Sequence, residues 1–189
     1  QFIYSGWAKK SAEGPKMLKK DGYYYLFTAE GGTGYGHYEA VARSKDIRGP
    51  YERAPNVFYS SADDPEAPIP KSGHGTLFSS PEGQWYTTLL GSRPLNPKGN
   101  CPLGRETFIQ RIEWNNEGWP ELANRSIIPG MEVDIPVKET VKTSEPEFCD
   151  TFNENQLSFN WQTLREPADN SWLIVDSSKG ILSMRGRHA

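Results

Sequence analysis

Hydrophobic positions in this chain come in short runs with a period of two. The clearest run is residues 23–28, where Tyr23, Tyr25 and Phe27 alternate with Tyr24, Leu26 and Thr28, the repeat of a β-strand. Both sets are aromatic or apolar, which predicts a strand covered on each side. Asp21-Gly22 just before it is the two-residue signal of a tight hairpin, so residues 13–30 read as two paired strands. Further strands are predicted at residues 2–7, 38–43, 73–78, 84–90 and 105–114. The proline-rich stretch 54–70 reads as a long surface loop. Helical periodicity is scarce, and the fold class predicted is all-β.

The opening pattern then recurs. Glu13 precedes Gly22 by nine residues, and His74 precedes Gly83 by nine. Each heads a strand that passes through an acidic-Gly turn into an aromatic strand. A third pass, from Arg105 to Gly118, spans thirteen, so its register does not carry over. A recurring four-strand unit is the signature of a β-propeller, whose innermost strands surround an axis. In that architecture Glu13, His74 and Arg105 converge on one funnel. Residues 1–123 read as blades, 124–147 as an extended linker, and 148–189 as the first strands of a β-sandwich, at 161–164, 171–175 and 180–185. Three strands cannot bury both faces of a sandwich, so the chain reads as an internal piece of a longer protein.

Composition narrows the chemistry. The net charge of −3 is dispersed over 189 residues, which gives no footprint for nucleic acid. No apolar run is long enough to span a membrane. Cys101 and Cys149 form no metal-ligand pattern and read as two free thiols, which leaves the compartment open. The glycine-rich stretch 31–36 lacks a phosphate-loop lysine and leads into a strand, so a nucleotide site is a poor reading. Asn124-Arg125-Ser126 fits a glycosylation sequon, a pattern short enough to arise by chance. Six Trp and nine Tyr are core by default, with sugar-stacking faces as the alternative. Glu13 at a strand head is either hydrogen-bonded structure or an acid with a raised pKa. Glu30 and Glu106 read as structural, Cys101 as a bystander without a base beside it. Arg105 has an ion pair with Glu106 or Glu113 as its plain alternative.

Several stretches resemble glycoside hydrolase family 43, in particular its two-domain β-xylosidases. They are Glu13-Gly14-Pro15, the run from Asp21 to Thr33, Val41 to Ser44, Gly49 to Tyr51, Lys71 to Gly75, Cys101 to Thr107 and Gly180 to Arg187, in family order. The resemblance implies a five-bladed β-propeller followed by a C-terminal β-sandwich. It implies that Glu13 is the general acid and that Arg105 binds the sugar in the cleavage subsite. It places His74 near the axis, among the substrate-binding residues and in contact with a central calcium or its water shell, with a satisfied structural histidine as the plain alternative, and Thr33 on the aglycone side. It implies no required cofactor beyond that structural calcium. The general base and the aspartate that tunes the acid belong to blades upstream of Gln1. The partners implied are a xylo-oligosaccharide or arabinoside and the missing N-terminal blades; homo-oligomerisation is left open. The expected activity is inverting exo-cleavage of β-1,4-xylosides, with α-L-arabinofuranosidase activity beside it. A non-catalytic carbohydrate-binding propeller is the rival reading. A protein-binding propeller of the WD type is weak, because no Trp-Asp repeat is present.

Overall fold

The computed structural model describes residues 2–7, 12–136, 148–163 and 167–186. Among them every regular element is a strand, as the period-two pattern predicts. The chain divides into two compact units, residues 1–136 and 137–189.

The first unit holds two antiparallel sheets. One is built from β1 (Glu13–Lys20), β2 (Tyr23–Glu30), β3 (Tyr38–Ser44) and β4 (Glu52–Arg53), in that order, with β5 (Tyr59–Ser60) also paired to β3. The other runs β6 (Gly73–Ser79), β7 (Trp85–Gly91), β8 (Glu106–Trp114) and β9 (Pro120–Leu122). Asp21 and Gly22 both have positive φ, 49° and 80°, as a tight hairpin turn requires. The core lies between the sheets: Tyr25, Phe27, Val41, Phe58 and Tyr59 from one meet Leu89, Ile112, Trp119 and Leu122 from the other. Each such side chain contributes about 1.5–3 kcal/mol through burial. Tyr25 packs edge-on against Trp114 and Trp119, so these aromatics are core.

Four expectations are corrected. No strand forms at residues 2–7. The Trp7 N–H donates to the Glu30 carboxylate at 2.8 Å, and Arg53 donates to the Gly6 and Trp7 carbonyls at 2.6 and 3.2 Å. Side chains, not a ladder, satisfy that backbone. The third pass is no new unit: β8 pairs β7 from Trp85↔Ile112 to Gly91↔Glu106 and so belongs to the second sheet. Residues 54–70 are not a surface loop. Ala54, Phe58, Tyr59, Ala67 and Ile69 are buried, and Phe58 N–H donates to the Glu39 carbonyl at 2.9 Å. Each proline lacks a ladder donor but can still be buried, and β5 pairs with β3 between them. In the second unit, only β10 (Leu173–Asp176) and β11 (Ile181–Met184) pair among the described residues. Residues 161–163 are not a strand; Trp161 instead donates to Asp150 at 2.8 Å and meets the Phe152 ring. Leu164 and Arg187 lie outside the described residues.

Within the stretch read as a linker, Gln110 holds Gly130 through both its amide atoms, at 2.7 and 3.0 Å. Ser60 N–H reaches the Ile127 carbonyl at 2.8 Å. Residues 137–147 of that stretch lie outside the described residues.

Candidate active site

Both sheets begin with the same irregularity. β1 pairs Glu13↔Ala29 and then Lys16↔Phe27; β6 pairs Gly73↔Leu90 and then Thr76↔Thr88. Each head therefore carries one extra residue, a bulge that re-aims side chains. The residue after the first pair is left-handed in both, Gly14 at φ 57° and His74 at φ 56°. Glu13 thus stands before its bulge and His74 within its own. The nine-residue spacings match because the second sheet has a shorter strand after its bulge and a longer turn.

The bulges face each other. A Cβ on Gly14 would lie 2.4 Å from His74 Nε2, so the imidazole rests on the backbone next to Glu13. Only glycine permits that approach with that φ. Similarly, a Cβ on Gly73 would lie 2.4 Å from Nε2 of His37. His74 is half-buried. Glu13 is exposed, not partly buried as its strand-head place suggests, because β1 is an edge strand paired only to β2.

Arg105 and Thr33 meet elsewhere on this end. Both line a cavity of about 360 Å³ together with Lys71, Ser92, Asn100 and Cys101. Three loops wall it. The Lys71 ammonium lies 4.8 Å from the centre of the Tyr35 ring, and the Tyr35 hydroxyl donates to the Gly99 carbonyl at 3.1 Å. Lys71 Nζ also donates to Cys101 Sγ at 3.3 Å. Cys101 therefore has a basic neighbour, which the loop brings across thirty residues. Glu106 pairs with Arg93 at 2.5 Å and Glu113 with Arg111 at 3.7 Å. Among the described residues neither pairs with Arg105, whose side chain is exposed.

Two residues that the sequence reading missed join these parts. His37 is buried, and its Nδ1 lies 3.0 Å from the Lys71 carbonyl. Burial pushes its pKa below the ordinary value; His74 and Arg105 add to that fall and Glu13 opposes it. His74 stands on the backbone beside Glu13, and His37, set against Gly73, holds the Lys71 carbonyl next to the Arg105 cavity, so the three predicted polar residues share one end of the unit. Glu39 is the second. It pairs with Ala29, which pairs with Glu13, so the three share a face, with the Glu13 and Glu39 backbones two strand spacings apart, about 10 Å. Burial pushes the Glu39 carboxyl up to about 8. A carboxylate in a strand covered on both faces was the signal available for it, since such a group needs partners.

Glu30 is structural as expected: it accepts from Trp7, Thr28 and Tyr38. The cysteines are free. A calcium at the axis needs several oxygen ligands. His74 offers one nitrogen, and among the described residues no three His, Cys, Asp or Glu side chains could hold a metal together. These residues alone do not fit calcium, and no step is derived through it.

The chain is similar to known proteins along its whole length. It is 39% identical to a β-xylosidase of Bacillus subtilis (strain 168), covering all of this chain and 37% of that one. It is 35% identical to a non-reducing end α-L-arabinofuranosidase of Bacteroides ovatus, covering 97% of this chain and 34% of the relative. The solved xylan β-1,4-xylosidase of Bacillus halodurans C-125 superposes with a TM-score of 0.85 at 43% identity, over 99% of this chain and 36% of that one. The chain therefore spans about a third of the length of these relatives. Residues 149–189 match the β-xylosidase C-terminal concanavalin A-like domain. Residues 1–120 match glycosyl hydrolases family 43. That is more than half of the chain, and its two sheets with polar side chains gathered at one end accord with the match: the chain belongs to glycosyl hydrolases family 43.

Proposed function

We propose that the full-length protein carrying this chain is an inverting glycosidase that releases xylose from the non-reducing end of β-1,4-xylo-oligosaccharides. In this reading Glu13 is the general acid that protonates the leaving glycosidic oxygen. A base-activated water attacks from the opposite face, with the two carboxyls about 6.5–9.5 Å apart. The base and the aspartate that tunes the acid come from outside this chain, and five blades complete the propeller. Arg105 binds hydroxyls of the cleaved sugar through a planar donor fork that lysine cannot copy. Thr33 shares the Arg105 cavity and borders the aglycone. His74 stands against the backbone beside the acid.

The observation that carries this reading is the packing of the His74 imidazole on the backbone beside Glu13, where a Cβ on Gly14 would lie 2.4 Å from Nε2. Polar strand heads scattered over a fold would not meet in this way. The α-L-arabinofuranosidase name of the Bacteroides ovatus relative supports arabinoside hydrolysis as a second activity of the same pocket.

The test is Glu13→Gln in the full-length protein. An acid matters most where the leaving group is poor. Turnover of xylobiose is expected to fall about 100-fold or more, and that of an aryl xyloside with an acidic phenol leaving group far less. Equal losses on both substrates would remove Glu13 from the acid's role.

A further inference from the structure

The bulge that aims His74 is an expensive arrangement. A non-glycine residue at φ 56° is strained and persists only where its surroundings over-determine it. The surroundings here include a group with no part in the mechanism above. Glu39 reaches from β3 of one sheet to the head of β6 in the other. Its side chain is 1% exposed. Gly75 N–H donates to Glu39 Oε2 at 3.1 Å, and the His74 backbone N–H also favours the charged carboxyl. Gly75 is also closely packed, since a Cβ there would lie 2.1 Å from the Tyr59 hydroxyl and 2.4 Å from the Thr88 carbonyl. The bulge backbone is thus held by a carboxyl and by packed neighbours, and its imidazole stands over Gly14.

We propose that Glu39 is the positioning residue for His74: its buried carboxyl grips the bulge at the head of β6 and so sets where the imidazole stands beside Glu13. This rests on the reading of His74 as part of the sugar site. Glu39 itself touches no substrate, because it is buried under the bulge and its row neighbour Ala29 separates it from Glu13. A carboxyl suits the task better than a hydrophobe. A buried N–H without an acceptor is costly, and the two sheets share no ladder here to supply one.

The experiment uses the full-length protein and two substitutions at this position. Glu39→Met removes both acceptor oxygens at similar volume. Glu39→Asp keeps the carboxyl but withdraws it by a methylene, and serves where the first variant does not fold. Misplacing a site group by about 1 Å costs up to about 100-fold, so kcat on xylobiose is expected to fall about 10- to 100-fold, with KM little changed. Made on a His74→Ala background, the same substitution is expected to cost less than about twofold, since the two act through one contact. The His74 ring resonances in ¹H–¹⁵N spectra should move in either variant while the amide spectrum of the remaining sheets stays in place. Equal losses of kcat in both backgrounds, or unmoved His74 resonances, overturn the proposal. If the wild-type protein turns over no xyloside or arabinoside, the proposed function fails instead, and the His74 resonances alone decide the role of Glu39.

Discussion

Glu39 holds its proton up to about pH 8 because burial outweighs the N–H groups that favour its charge. In the unfolded chain it ionises near 4.5. Between those values the unfolded state binds fewer protons, so this group makes stability fall as pH rises. The sign is opposite to that of a salt-bridged carboxylate. Glu39→Gln cannot titrate and keeps an acceptor oxygen. Its urea midpoint, relative to wild type, is therefore expected to rise steadily from pH 4.5 to pH 8; a constant difference over that window would show that Glu39 is already ionised in the native state. His37 titrates the other way. Burial disfavours its charged form and lowers its pKa, while a ring nitrogen is fixed on the Lys71 carbonyl.

Among the elements, the two sheets are fastened at the end of β3 by one cation. Arg43 lies between the Tyr23 and Trp119 rings, with its guanidinium carbon 4.7 and 4.0 Å from their centres. It also donates to the Glu117 carbonyl at 2.6 Å. Tyr25 donates to the neighbouring Gly118 carbonyl at 2.6 Å. The β8–β9 turn is thus bound to the first sheet by contacts that need a flat, stacked donor. Lysine offers a point charge instead. R43K is expected to lower stability by about 1 kcal/mol, read as a lower urea midpoint, with KM for xylosides unchanged. An unchanged midpoint would show that the stack contributes nothing.

At the scale of the whole molecule, one acid cannot hydrolyse a glycoside by inversion, because a second carboxyl must activate water on the far side. Residues 1–189 expressed alone are therefore expected to release no phenol from aryl β-xylosides or aryl α-arabinosides. Turnover by that piece would mean that the base lies within it.

The alternation at residues 23–28 and the Asp21-Gly22 turn determined a buried hairpin, since a two-residue period puts side chains on opposite faces wherever the strand lies. The motifs from Glu13 to Thr107 carried the family for the same local reason: each keeps its own spacing. Burial in residues 54–70 was illegible, because proline reports a missing donor and says nothing of what packs around it. The sequence also could not say that residues 2–7 give their backbone to Glu30 and Arg53, or that β8 joins the second sheet. Those depend on groups distant in the chain. Only the tertiary structure decided that Glu39 and His37 lie against the candidate site, because each meets a backbone that the fold brings against it from far along the chain, that of Gly75 for one and Lys71 for the other.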